Sequence, residues 1–287
     1  NLLLIGAPGS GKTMLARAIC TILPRLTQQE ALEATKIHSV CGLLDDGIIL
    51  SRPFRAPHHT ASIAAVTGGG AKAKPGEVSL AHNGVLFLDE LPEYNKSVLE
   101  ALRQPLEDNK ITVSRVQSTV TYPANFMLVA SMNPCPCGHF GSKTTACTCS
   151  QSAIARYLAR ISGPLLDRID LQIEVDSVKY DDLSAPADEE PSEKIANRVQ
   201  RAREIQQKRF TGTGIYCNAQ MQQEEIHTFC ALDAQCSALL EKAFSSLNMS
   251  ARGYNRVLKV ARTIADLDES ESILPKHIAE AIGYRNL

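Results

Sequence analysis

The chain has 287 residues, 44% of them hydrophobic, enough to bury one large core or two smaller ones. Charged residues make up 21% and the formal net charge is −1, which excludes a global basic field for nucleic acid and leaves any such contact to a few local Lys and Arg side chains. No apolar run approaches the length of a membrane span, so no membrane partner is expected.

In chain order, Asn1-Leu-Leu-Leu-Ile5 lacks a basic leader and a cleavage site and runs into a glycine loop. That predicts a buried strand over Leu2–Ile5 rather than a secretion signal. Met14–Ile22 reads as a helix stopped at Pro24, and Thr27-Gln-Gln-Glu30 is a capping-box signature opening a second helix. Val85–Leu88, Phe126–Ala130 and Leu171–Val175 read as further strands bounded by turn residues. Strand and helix alternating in this way predict an α/β domain over residues 1–183, a parallel sheet between helices.

Within that domain, residues 68–76 form a glycine-rich basic stretch expected to be a flexible loop carrying Lys72 and Lys74. Residues 110–122, "KITVSRVQSTVTY", alternate and break near Gln117-Ser118, which predicts a β-hairpin with Arg115 near its tip. The acidic, proline-containing 184–191 reads as a linker. Beyond it lie helical patterns only, near 192–209, 222–230, 233–247, 250–267 and 275–283, giving a small all-helical domain over 192–287. The abrupt start inside a strand and the abrupt finish at "AIGYRNL" predict a piece of a longer protein.

The chemistry is concentrated in three places. Gly6-Ala-Pro-Gly9-Ser10-Gly11-Lys12-Thr13 fits the Walker A pattern between a predicted strand and a predicted helix. Its backbone N–H groups would wrap phosphates, Lys12 would reach the β- and γ-phosphates, and Thr13 would ligate Mg²⁺. ATP and Mg²⁺ are therefore the expected cofactors. Val85-Leu-Phe-Leu-Asp89-Glu90 then sets two carboxylates at the C-terminal end of a buried strand, where ligands bind in open α/β sheets. Asp89 would hold the Mg²⁺ shell and Glu90 would polarise an attacking water, the mark of hydrolysis. Asn133, just past the next strand, could hydrogen-bond the γ-phosphate and the lytic water; by itself an Asn before Pro is an ordinary turn former.

Two Cys-x-Cys pairs follow Asn133 closely. Cys135, Cys137, Cys147 and Cys149 match the count for one tetrahedral Zn²⁺, though the spacing within each pair is tighter than usual, and His139 could replace one ligand. A disulfide between the pairs and four separate thiols are the competing readings; zinc is preferred, in a structural role because four thiolates fill the shell. Such a clip would pin the connection running from Asn133 toward Arg168. The other five cysteines are scattered and read as buried thiols of a reducing cytoplasm. His58 and His59, being adjacent, have poor metal-ligand spacing and read as structural.

"FRAPHHTAS", "GGGAKAKPGEVSLAHNGVLFLDELPEY" and "GPLLDRIDL" resemble the magnesium-chelatase-like AAA+ ATPases of the ComM/YifB family over essentially the whole chain. The resemblance implies an AAA+ P-loop core followed by a helical lid, a ring-forming and usually hexameric ATPase, and a DNA helicase role in branch migration during natural transformation. It also implies an N-terminal Lon-protease-like domain, which these residues do not contain. It makes Asn133 sensor 1, Arg168 the arginine finger with Arg160 as runner-up, and Arg252 sensor 2 with Arg256 one turn on as the alternative. Without the finger role, Arg168 would pair with Asp167 or Asp170. Residues 110–122 match a pre-sensor-1 hairpin and 68–76 a helix-2 insert, so Arg115, Lys72 and Lys74 would touch branched or single-stranded DNA through phosphates. The alternatives are a magnesium-chelatase-type subunit that remodels a partner for metal insertion and a Lon-like protease-associated ATPase.

Overall fold

The computed structural model describes residues 1–44, 47–70, 73–115, 118–142, 145–176, 190–247 and 249–285. Its strands are β1 (Leu2–Gly6), β2 (Phe54–Arg55), β3 (Gly68–Gly69), β4 (Lys74–Pro75), β5 (Val85–Leu88), β6 (Lys110–Arg115), β7 (Ser118–Pro123), β8 (Met127–Met132) and β9 (Leu171–Val175). Five of them form one sheet in the order β2-β5-β8-β1-β9. The pairs β2/β5, β5/β8 and β8/β1 are parallel, with Leu88 opposite Ala130 and Leu4 opposite Ser131. Parallel pairing needs crossover connections, and the helices that supply them cover the faces; this is why β1 and β5 are apolar and buried at every residue.

Leu3, Leu86, Leu88 and Leu128 of the sheet pack with Leu91, Leu99, Leu102, Leu165 and Ile169 from the covering segments. Each such side chain contributes roughly 1.5–3 kcal/mol of burial. The helix Lys12–Ile22 starts at the end of the glycine loop, two residues before the predicted start, because the loop leads straight into it. The next helix, Gln28–Cys41, is opened by the expected capping box: Glu30 N donates to Thr27 Oγ1 at 3.2 Å and Thr27 N donates to Glu30 Oε2 at 2.8 Å. β8 runs to Met132 rather than Ala130, because its ladder with β1 continues through Ile5 opposite Met132.

The expected hairpin over 110–122 is present: β6 pairs antiparallel with β7 from Lys110–Pro123 to Arg115–Ser118. In the 68–76 stretch, expected as a flexible loop, the described residues flanking 71–72 are paired. Gly68–Gly69 pair with Lys74–Pro75 as a short antiparallel ladder, and the Tyr122 hydroxyl of β7 donates to the Ala73 carbonyl at 2.8 Å. A side-chain bond from a neighbouring strand thus fixes Ala73, a partner that composition alone does not reveal. Lys72 lies outside the described residues.

The described residues fall into two compact units, one built on the sheet and one on the C-terminal helices. The predicted linker at 184–191 lies almost wholly within 177–189, outside the described residues. In the second unit the helices are Ser192–Arg209, Gln223–Phe229, Ala234–Ser246, Ala251–Leu267 and Pro275–Gly283, each within one residue of its predicted ends. Phe210, Met221, Leu240, Leu258 and Ile278 form their core. Through it runs a polar network with Asp266, whose side chain is 0% exposed, at its centre. The carboxylate accepts from Arg209, from Asn218 Nδ2 at 2.7 Å and from Arg262 Nε at 3.1 Å, so a buried charge is both paired and hydrogen-bonded.

Candidate nucleotide site

The carboxyl ends of β1, β5 and β8 meet at one cleft of about 390 Å³, lined by the glycine loop from Pro8 to Met14 and by Asp89, Glu90, Ser131, Met132 and Asn133. Gly9 and Gly11 adopt left-handed φ angles of 78° and 85°, the curvature the phosphate loop needs. Lys12 is 9% exposed. Its ammonium donates to the Gly6 and Ala7 carbonyls at 2.8 Å each, and reaches Asn133 Oδ1 at 3.3 Å. Burial pulls its pKa below the ordinary lysine value, with Asp89 and Glu90 pulling the other way.

Asp89 is the hub of the cleft. Thr13 Oγ1 donates to Asp89 Oδ2 at 2.9 Å, and the Ser131 hydroxyl makes a short bond to Asp89 Oδ1. Two hydroxyls and a carboxylate converging are hard oxygen donors, the set that suits Mg²⁺. Glu90 follows at φ 55°, ψ 49°, a left-handed conformation uncommon outside glycine, and opens a tight turn over Leu91–Glu93. Its carboxylate is 58% exposed, with His59 Nδ1 3.3 Å from Glu90 Oε2. The His58 ring lies tilted against His59, with centroids 4.1 Å apart and 34° between their planes.

Burial pushes the pKa of the nearby Tyr157 hydroxyl up to about 12, and the Asn133 side chain is held through Oδ1, which accepts from Lys12. Two residues on, Cys135, Cys137, Cys147 and Cys149 bring their sulfur atoms within 4.8 Å of one another. His139 is not among the converging groups.

The cleft does not include Arg168. Arg168 is 4% exposed, paired with Glu107 at 2.5 Å rather than with Asp167 or Asp170, and donates to the Pro164 carbonyl at 2.6 Å. Its Nε has no hydrogen-bond partner among the described residues. Arg160 is half exposed and donates to both Glu93 carboxylate oxygens at 2.9 Å. In the helical unit, Arg252 is exposed in the first turn of Ala251–Leu267, while Arg256 is engaged by Asp170 at 2.7 Å. Lys74 is exposed on β4 and Arg115 closes β6.

Two contributors were not visible as such in the sequence. Ser131 is a lone hydroxyl inside an apolar strand, and a buried polar side chain next to a strand end was the available signal. His59 reads as structural in the sequence, although it reaches the Glu90 carboxylate; nothing local in "FRAPHH" announces that.

A five-stranded sheet with the phosphate loop after β1, paired carboxylates after β5 and a polar tip after β8, followed by a helical unit, defines an AAA+ P-loop protein. Residues 1–183 match the family described as magnesium chelatase, subunit ChlI, and residues 189–285 match its C-terminal domain. The chain is 48% identical to the competence protein ComM of Haemophilus influenzae over 99% of its length and 55% of that protein's. It is also 48% identical to protein YifB of Escherichia coli K12, over 99% of this chain and 56% of the relative. The chain belongs to the magnesium-chelatase-like AAA+ family, in its ComM/YifB branch. It spans about half the length of these relatives. None of its described helices is long and apolar enough to cross a membrane.

Proposed function

We propose that this chain is the ATP-hydrolysing part of a ring-forming motor, a homo-hexamer, that acts on branched or single-stranded DNA. The observation that carries the hydrolytic half is the carboxylate pair at the end of β5: Asp89 gathers the Thr13 and Ser131 hydroxyls while Glu90 stands beside it, exposed to water. Backbone N–H groups of the glycine loop and Lys12 bind the nucleotide's phosphates. Thr13 and Asp89 would hold Mg²⁺, which neutralises phosphate charge when bound. Glu90 accepts the proton of the attacking water, and the Asn133 amide aligns that water. Arg168 of a neighbouring subunit stabilises charge on the transferring phosphoryl group, and to do so it must leave Glu107. Arg252 acts as sensor 2.

For the DNA half, the support is that the two candidate basic elements are tied together by one hydrogen bond. The Tyr122–Ala73 bond ties the hairpin ending at Arg115 to the ladder holding Lys74, with Lys72 next in sequence. The name of the competence protein ComM points the same way. Such contacts are to phosphates and weaken steeply with salt. The test is ATPase and branched-DNA unwinding by the full-length protein. Failure of DNA to bind or to stimulate the assembled protein rejects the motor reading.

The family description favours a second reading, a magnesium-chelatase-type subunit that remodels a partner for metal insertion. Arg115→Glu separates the two: it abolishes unwinding under the first and leaves chelation untouched under the second.

A further inference from the structure

The four-cysteine cluster is not used by ATP hydrolysis, yet it is built with care. Sulfur separations are 3.4 Å for Cys135–Cys137, 3.7 Å for Cys135–Cys147 and 3.6 Å for Cys137–Cys147. A disulfide would bring two sulfurs to about 2.0 Å, and all nine cysteines are unbonded. Four thiolates around one Zn²⁺ at about 2.3 Å stand about 3.8 Å apart along each edge of a tetrahedron. The observed spacing fits a single ion, whereas a cluster of several irons would spread its four thiolates much farther.

Backbone N–H groups also converge on these sulfurs. Phe140 N donates to Cys135 Sγ at 3.3 Å and Cys149 N to Cys147 Sγ at 3.4 Å. Thus two of the four sulfurs, Cys135 and Cys147, each accept a backbone donor. That arrangement suits thiolates gathered on a cation, whose charge the donors help to spread.

The cluster's position gives it a consequence for the nucleotide. Gly138, in the turn between the first cysteine pair and the rest, has φ 83°. A Cβ there would lie 2.4 Å from Pro8 Cδ. The turn therefore packs flush against the third residue of the phosphate loop, a fit only glycine permits.

We propose that Cys135, Cys137, Cys147 and Cys149 bind one Zn²⁺ as a tetrathiolate, and that this metal-held turn, through Gly138 on Pro8, braces the phosphate loop for nucleotide. The brace rests on the nucleotide-site reading; the metal site does not. It is a structural site, with its coordination filled by protein, and its effect on the nucleotide is a coupling between two ligands through one packed contact.

The experiment uses the full-length protein purified in reductant without chelator, metal analysis, and a fluorescent N-methylanthraniloyl ATP as nucleotide probe. The expected results are about one zinc per chain and, after stripping, cobalt uptake with thiolate-to-metal charge-transfer bands saturating at about one equivalent. Cys147→Ser/Cys149→Ser loses both signals. Stripped protein and Gly138→Ala bind the probe more weakly, by about tenfold, within the range of ordinary site-to-site coupling. Lys12→Ala loses the probe and keeps the zinc. Wild-type protein that takes up neither zinc nor cobalt, or that holds iron instead, overturns the metal site. Zinc bound with probe affinity unchanged on stripping and in Gly138→Ala overturns the brace. Wild-type protein that holds zinc but never binds the probe overturns the brace and the ATPase reading together, and leaves the metal site standing. Because stripping and cobalt titration use wild-type protein, misfolding of a variant does not blur these outcomes.

Discussion

His59 Nδ1 lies 3.3 Å from Glu90 Oε2, so the segment just after edge strand β2 reaches the carboxylate that would activate water. Glu90 is half exposed on a left-handed turn, and this imidazole is a fixed point against which its carboxylate can be oriented. His59→Ala is expected to lower the ATPase kcat about tenfold with KM within about twofold, because a misoriented base costs turnover and not binding. His59→Gln, which keeps a donor at similar reach, is expected to recover part of the loss. Steady-state kinetics checks both; equal loss in the two variants would mean the ring only fills space.

Glu90→Gln and Lys12→Ala should fail differently. With Glu90→Gln, kcat falls by about 10²–10⁴-fold, the usual contribution of a general base, while nucleotide still binds. With Lys12→Ala, binding itself is lost. Turnover and equilibrium nucleotide binding, measured on the same preparations, separate the two; unchanged hydrolysis in Glu90→Gln would remove Glu90 from the base role.

Arg168 is both a candidate finger and a buried member of an ion pair, and its variants must be read with that in mind. Arg168→Ala is expected to abolish ATPase and to lower stability by about 1–3 kcal/mol, less than for a fully buried pair because Glu107 is 44% exposed. Mixing Arg168→Ala with Lys12→Ala subunits should restore part of the activity if the finger acts across an interface. Thermal melts of each variant keep folding and catalysis apart.

Acid should weaken the sheet unit through His82. Its Nδ1 accepts from Asn125 N at 3.1 Å and its Nε2 lies 3.3 Å from Glu33, so the buried ring is fixed as a neutral tautomer. Burial holds its pKa below the ordinary 6.5, against the raising effect of Glu33. As pH falls below that value the unfolded chain takes up a proton the folded one resists, so stability drops as pH falls from the ordinary histidine range toward the depressed value. Urea unfolding at pH 7.5 and 5.5 should show a smaller drop in His82→Gln than in wild type.

Asp266→Asn removes the charge that Arg209 and Arg262 share in the helical unit. Leaving buried guanidinium groups uncompensated costs about 3–5 kcal/mol. Unfolding of the C-terminal helices, followed by circular dichroism, should move accordingly.

Much of this was legible in the sequence because it is local. A glycine loop between a strand and a helix, four apolar residues ending in Asp89-Glu90, and the Thr27–Glu30 capping box each carry their own geometry within a few residues. So do the helices after Ser192, whose apolar period sets their ends. What stayed hidden depends on distant partners. Arg168 is held by Glu107 from 61 positions earlier, by their numbering, rather than by Asp167 or Asp170, which lie within two positions of it. Tyr122 reaches the Ala73 carbonyl from another hairpin. His59 gains its meaning only when β2 is laid beside β5. Charge and period describe a residue's own surroundings, whereas these pairings are decided by the sheet order.

Strand β8 presents Leu128, Ala130 and Met132 to the core and turns Ser131 to Asp89. Because successive side chains alternate faces, dropping or adding one residue here would put the Met132 thioether over the acid and drive the hydroxyl into hydrocarbon. The same shift would carry Asn133 out of the cleft. In this stretch the spacing is less negotiable than the side chains: Val129 could be exchanged for another aliphatic residue with little harm, but a single codon lost or gained would disable the protein.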